Sequence, residues 1–146
     1  MTGQLTLSYH YDSSFDDPTK ARDDFGSLRL SVQSGDFSGR TAFWVQWQDV
    51  REMAERLSNF PASGAAAFSE QWGYNLQEGD DLVIRLKVER HGSTDFVVRV
   101  ELADGDETSD RVRTHFRTTE QAILWFAKDI ARVMDRELGE AVLVGR

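Results

Sequence analysis

Three segments between residues 82 and 118 alternate apolar and polar side chains almost without interruption. Successive side chains of a pleated strand point to opposite faces, so a period of two predicts strands with one buried face. The residues that define this face are Leu82, Ile84, Leu86 and Val88, then Phe96, Val98, Val100 and Leu102, and finally Val112, Thr114 and Phe116. The pattern predicts three consecutive strands of an antiparallel sheet.

The same alternation predicts further strands earlier in the chain. Residues 5–11 and 28–32 alternate, and the Ser-Gly-Asp turn signal at 34–36 predicts a hairpin whose returning strand covers 37–47. Residues 68–76, which contain a tryptophan, give a weaker strand signal.

Two amphipathic helices interrupt the strands. The first begins near Gln48, where the apolar positions adopt helical spacing, and Pro61 ends it. Thr119 is the predicted N-cap of the second helix and Gly139 its C-terminal stop. The predicted core stripes are Val50, Met53, Ala54 and Leu57 in the first helix, and Ile123, Phe126, Ala127, Ile130, Val133 and Met134 in the second.

The order of these elements predicts one α+β domain spanning residues 1–146. We expect an antiparallel sheet of about six strands with the two helices packed on one face. Residues 12–24 form an acidic loop, and residues 139–146 form a tail. The apolar part of this tail, 141–144, predicts either an edge strand or a contact between subunits, which leaves a homodimer open.

Composition restricts the function classes. The 25 acidic and 17 basic residues give a net charge of −8, which predicts no non-specific nucleic-acid binding, because such binding depends on neutralising phosphates. The absence of cysteine excludes disulfides and thiolate metal sites. No signal-peptide pattern or membrane-length apolar run is present, so we predict a soluble, cytoplasmic protein without a membrane partner.

The polar side of the predicted sheet is rich in cations. If the helices cover one side, the other side is open and offers guanidinium groups suited to carboxylate or phosphate, with an exposed tryptophan as an anchor. The candidate binding residues on this side are Arg29, Trp44, Arg85, Arg99, Arg113, His115 and Arg117. The alternative is a solvated face on which Glu89 and Glu101 pair with arginines across strands.

No catalytic or metal-binding set is recognisable. His10, His91 and His115 stand at no spacing that closes a metal site, and the acidic loop at 104–110 lacks the register of a calcium loop. Glycine-rich phosphate loops and nucleophile motifs are also missing. We therefore predict a protein that is not an enzyme and uses neither cofactor nor metal.

Two segments carry a family resemblance. Trp-Val-Gln-Trp at 44–47 leads into the short helix, and Phe-Arg-Thr-Thr-Glu-Gln-Ala at 116–122 leads into the long one. This order resembles a small group of uncharacterised bacterial single-domain proteins, loosely associated with toxin–immunity loci. The resemblance implies an α+β domain with no established activity, and it favours a protein-binding role.

Three functions remain at this point, one of which is a structural or self-associating domain that uses the apolar tail at 141–144. The first is a non-enzymatic module that binds another protein, with an immunity-type inhibitor of a basic nuclease as its specific form. The alternative is a small-molecule or anion-binding domain whose site lies between the open sheet face and residues 12–24. In that alternative, the residues that hold the ligand are Arg29, Arg99, Arg113 and His115.

Overall fold

The computed structural model describes residues 3–11, 25–74, 81–104 and 110–146, and it confirms the α+β class. The predicted acidic loop at 12–24 lies outside the described residues. The elements in chain order are β1 (Gly3–Tyr11), β2 (Phe25–Ser34), β3 (Phe37–Gln46), α1 (Trp47–Asn59), β4 (Ala67–Tyr74), β5 (Asp81–His91), β6 (Asp95–Ala103), β7 (Arg111–Thr119), α2 (Glu120–Met134) and β8 (Ala141–Val144).

The described strands form two antiparallel sheets of four strands each. The first sheet has the order β3-β2-β1-β8, and the second has the order β4-β5-β6-β7. The prediction of one sheet of about six strands with both helices on one face is therefore wrong. Alternation identifies a strand and its buried side, but it carries no information about which strands pair, because every strand offers the same backbone groups.

The C-terminal tail completes the first sheet. Strand β8 pairs antiparallel with β1, with Leu143 opposite Leu5, so the edge-strand alternative for residues 141–144 is confirmed. Strands β1, β2 and β3 form a meander that is followed in the chain by α1, and strands β4, β5, β6 and β7 form a meander that is followed by α2. Strand β8 follows α2 in the chain and returns to the first sheet beside β1.

Both sheets and both helices share one hydrophobic core. The helices pack against each other, and α2 also contacts β1 and β8 of the first sheet and β7 of the second. The helix stripes predicted from spacing are all buried: Val50, Met53, Ala54 and Leu57 in α1, and Ile123, Phe126, Ala127, Ile130, Val133 and Met134 in α2.

The two sheets meet where β3 approaches β6 and β7. The Thr41 hydroxyl donates a hydrogen bond of 2.7 Å to the carbonyl oxygen of Ala103. A Cβ atom at Gly39 would clash with the side chain of Val112, so this close approach requires glycine. The junction brings the outer surfaces of the two sheets next to each other.

The sequence predicted the N-terminal end of α2 correctly but not its C-terminal end. Thr119 Oγ1 accepts a hydrogen bond of 3.2 Å from the backbone N–H of Ala122, as expected for an N-cap. The helix ends at Met134, however, so the predicted stop at Gly139 is wrong. Arg136 instead adopts the left-handed conformation (φ 62°) that terminates helices, and its N–H bonds to the Val133 carbonyl.

No helix among the described residues is long and apolar enough to cross a bilayer.

Replacement of Thr119 by alanine removes this cap, and we expect the free energy of unfolding to fall by about 0.5–2 kcal/mol. Urea denaturation measures the change. Thr119→Ser retains an oxygen in the capping position and is the control. Equal losses in the alanine and serine variants would show that the cap hydrogen bond does not stabilise α2.

Candidate functional site

The candidate residues lie on the outer faces of two different sheets. Arg29 and Trp44 lie on the first sheet, on β2 and β3. The remaining candidates lie on the second sheet: Arg85, Arg99, Arg113, His115 and Arg117. The expectation of one shared open face is therefore wrong, for the same reason that the single sheet was wrong.

The outer face of β1, β2 and β3 is polar but carries no acidic residue among the strand residues described. We call it the aromatic face. In its register Ser8 lies opposite Arg29 and Ser31 lies opposite Arg40, so serine side chains flank both arginines. Its members are Gln4, Thr6, Ser8 and His10 on β1, Phe25, Ser27, Arg29, Ser31 and Gln33 on β2, and Ser38, Arg40, Ala42, Trp44 and Gln46 on β3.

Two exposed aromatic rings stack at one end of this face. The ring planes of Phe25 and Trp44 are 8° from parallel, with centroids 6.4 Å apart. Their relative exposures are 38% and 48%. The small Ser27 is the cross-strand neighbour of Trp44. The pair therefore presents an accessible aromatic surface to a ligand.

A hollow of about 860 Å³ lies where the aromatic face meets the second sheet. Arg29 and Arg40 line it from the first sheet, and Arg111 lines it from the second. Asp104, Asp110 and Glu140 also line it. Cations and carboxylates therefore lie together around this hollow at the junction of the two sheets.

The outer face of the second sheet, which we call the basic face, is organised in cross-strand rows. Arg85, Glu101 and Arg113 form one row across β5, β6 and β7. The next row consists of Lys87, Arg99 and His115. Strand register alone therefore brings these candidate residues together on one surface.

Two glutamates on the basic face pair with its cations. Glu101 lies within 3.2 Å of Arg85, 3.3 Å of Arg111 and 3.5 Å of Arg113. Glu89 lies 2.9 Å from Lys87 and 3.2 Å from Arg99. Hydrogen bonds from Lys87 and then Arg99 lower the pKa of the Glu89 carboxyl. The cross-strand pairing predicted from the sequence is confirmed.

The set predicted to hold a small anion is not assembled. Arg29 lies on the aromatic face, whereas Arg99, Arg113 and His115 lie on the basic face. Residues 12–24, which were expected to fold over such a site, lie outside the described residues. The geometry therefore does not bring this ligand set together.

Sequence reasoning missed Phe25, although its signal was present. Phe25 is in phase with Ser27 and Arg29, so a period of two places it on the outer face.

The tryptophans other than Trp44 have different surroundings. Trp47 and Trp72, expected in the core, are partly buried against it, and Trp125 on α2 is 62% exposed.

Comparison with known proteins yields distant structural neighbours only. No family model matches the chain, and no curated protein matches it. One similar solved structure is the plant transcriptional regulator PBF-2, with a TM-score of 0.45 and 15% identity over 95% of this chain and 79% of that one. Another is WHY3 from Arabidopsis thaliana, with a TM-score of 0.40 and 13% identity over 94% of this chain and 81% of that one. No residue role is transferred from either.

One of these neighbours is a transcriptional regulator, which conflicts with two sequence predictions: that the chain is a protein-binding module, and that its partner is a protein, without non-specific nucleic-acid binding. The first prediction relied on exposed tryptophan and arginine, which serve nucleic-acid interfaces as well as protein interfaces. The second relied on the net charge of the whole chain, whereas a ligand meets the charges of one surface. The resemblance to toxin–immunity proteins is not tested by these neighbours and stays a prediction.

Proposed function

We propose that this protein binds single-stranded nucleic acid across the aromatic face. The observation that carries the proposal is the exposed Phe25–Trp44 stack on the same acid-free strand surface as Arg29 and Arg40. Single-strand binding needs these two components, aromatic rings that stack on bases and cations that contact the backbone. A non-enzymatic role in the cytoplasm, as the sequence predicts, is part of this proposal.

The aromatic rings favour a single strand over a duplex. Bases in a duplex are stacked on one another, and their faces are not accessible to a protein ring, whereas unpaired bases stack on aromatic side chains of exposed sheets. Trp44 is 48% exposed, so much of its ring surface is available. The surrounding serine, threonine and glutamine side chains offer hydrogen-bond donors and acceptors to base edges.

The overall charge of −8 does not prevent this binding. Charges beyond about 8 Å are largely screened at physiological ionic strength. The phosphate backbone of the nucleic acid therefore interacts mainly with the charges of the protein surface that it contacts. On the aromatic face the charged side chains among the described strand residues are Arg29 and Arg40, and the carboxylates of Asp104, Asp110 and Glu140 line the hollow at its margin. We therefore expect binding that weakens as salt increases.

Arg29→Ala and Arg40→Ala test this charge contribution. Each variant should flatten the slope of log affinity against log salt by about 0.7–1, because one phosphate contact is lost. The loss of affinity should be similar for different base sequences, since phosphates carry no sequence information. Fluorescence anisotropy with a labelled oligothymidine, measured over a range of salt concentrations, gives both quantities.

Arg132→Ala is the matched control, because it removes an arginine from α2 rather than from a sheet face. The slope of log affinity against log salt for Arg132→Ala should equal that of the wild type. An unchanged slope in both Arg29→Ala and Arg40→Ala would remove the aromatic face as the binding surface.

A further inference from the structure

The basic face carries more positive charge than its own acids neutralise. Its basic side chains are Arg85, Lys87, Arg99, Arg111, Arg113 and Arg117. Its described acidic side chains are Glu89, Glu101 and, at one end, Asp95, which pairs with Arg146 from the C-terminal tail. A hollow of about 540 Å³ lies over the two central rows, and the charged and histidine side chains that line it are Arg85, Lys87, Arg99, Glu101, Arg113 and His115.

Glu101 has an unusual position among these cations. It is only 7% exposed, and three guanidinium groups from β5 and β7 surround its carboxylate. Each guanidinium has five N–H donors, and the closest approach of each to Glu101 is through a single nitrogen. One negative charge therefore holds three positive charges in place without neutralising them.

The arginines that contact Glu101 are also accessible to a ligand. The side chain of Arg113 is 80% exposed, and that of Arg85 is 47% exposed, although both contact a buried carboxylate. A long side chain normally loses rotamer freedom when it binds a ligand. Arginines that are already tethered lose less, so the arrangement is suited to an incoming anion that is itself held at several points.

We infer that the basic face binds the phosphate backbone of a single-stranded nucleic acid independently of its bases, and that Glu101 is a positioning residue for Arg85, Arg111 and Arg113. The inference rests on the proposed function, to which it adds a second contact surface. A polyanion fits this face better than a lone small anion, because the unneutralised charge is spread over three strands rather than gathered at one point.

Arg113→Ala tests the backbone contact. Its contact to Glu101 is long and its side chain exposed, so its removal should leave the melting temperature nearly unchanged. The probes are an oligothymidine and an abasic oligodeoxynucleotide of the same length. We expect Arg113→Ala to lower the affinity for both oligonucleotides by the same factor. For each oligonucleotide, the slope of log affinity against log salt should fall by about 1. Unchanged affinity and slope for both probes would overturn the inference.

Glu101→Gln tests positioning against simple electrostatics. The substitution adds one unit of positive charge to the face, so electrostatics alone would tighten binding. Loss of positioning instead predicts weaker binding of the abasic probe, by roughly fivefold, because the arginines must then be ordered on binding. Glu55→Gln on α1 makes the same charge change away from both sheet faces and is the control. Tighter binding by Glu101→Gln than by Glu55→Gln would overturn the positioning role.

These outcomes separate the inference from the proposed function. If the basic face contributes nothing, wild-type protein still binds oligothymidine through the aromatic face, but the Arg113→Ala variant equals the wild type. If the aromatic face is not a binding surface but the basic face is, Trp44→Ala binds oligothymidine as the wild type does, while Arg113→Ala binds both probes more weakly. If the protein does not bind single-stranded nucleic acid, neither oligonucleotide binds the wild-type protein at low salt. The three failures therefore give different results in the same experiment.

Discussion

Replacement of Trp44 by alanine is expected to weaken oligothymidine binding by about fivefold to 150-fold. Stacking of one base on an aromatic side chain contributes about 1–3 kcal/mol, and this range of free energy corresponds to that range of affinity. Trp44 is 48% exposed and lies on the aromatic face with Arg29 and Arg40. Anisotropy titration of a labelled oligothymidine measures the loss.

Two comparisons make this result specific. Trp125→Ala removes a tryptophan that is 62% exposed on α2, and its affinity should equal that of the wild type. The abasic oligonucleotide has no bases to stack, so Trp44→Ala should change its binding little. Equal loss of affinity in the Trp44 and Trp125 variants, or none in either, would contradict base stacking on the aromatic face.

Replacement of Phe126 by alanine is expected to lower the free energy of unfolding by about 3–5 kcal/mol. Phe126 is fully buried on α2, the helix that contacts strands of both sheets. Its removal leaves a cavity where the sheets and helices share one core. Because domains of this kind have total stabilities of about 5–15 kcal/mol, the loss is a large fraction of the total. Urea denaturation followed by circular dichroism measures it.

The neighbouring residue supplies the control for this prediction. Trp125 precedes Phe126 in the same helix but is 62% exposed, so Trp125→Ala should change stability by no more than about 0.5 kcal/mol. If Phe126→Ala costs as little as Trp125→Ala, α2 does not join the two sheets through the core described above.

The strands and helices of this protein could be predicted from the sequence, but their assembly could not. Alternation located β5, β6 and β7 because their inner residues, such as Ile84 and Val98, are buried by the same core. Helical spacing located α1 and α2 for the same reason. The division into two sheets depends on backbone pairing over long distances, for example Leu5 with Leu143, and this pairing leaves no mark on local patterns.

The sequence analysis named Arg29 and Trp44 but not Phe25 or Arg40, and it did not separate the two faces. The charged outer side of β5 to β7 and its pairing with Glu101 follow from strand phase alone. Arg29 and Trp44 were placed with it only because one sheet was assumed. Arg136 illustrates a second limit, since it takes a left-handed conformation expected of glycine, and the sequence pointed to Gly139 instead.

A nuclear magnetic resonance titration of the isotope-labelled protein with an unlabelled oligothymidine shows directly whether the aromatic face binds nucleic acid. We expect the largest backbone amide shift changes in β2 and β3, near Phe25, Arg29 and Trp44, together with a change in the indole N–H signal of Trp44. Smaller changes should appear on the basic face around Arg99 and Arg113. Changes confined to α1 and α2, or no changes at saturating oligonucleotide, would contradict nucleic-acid binding at the aromatic face.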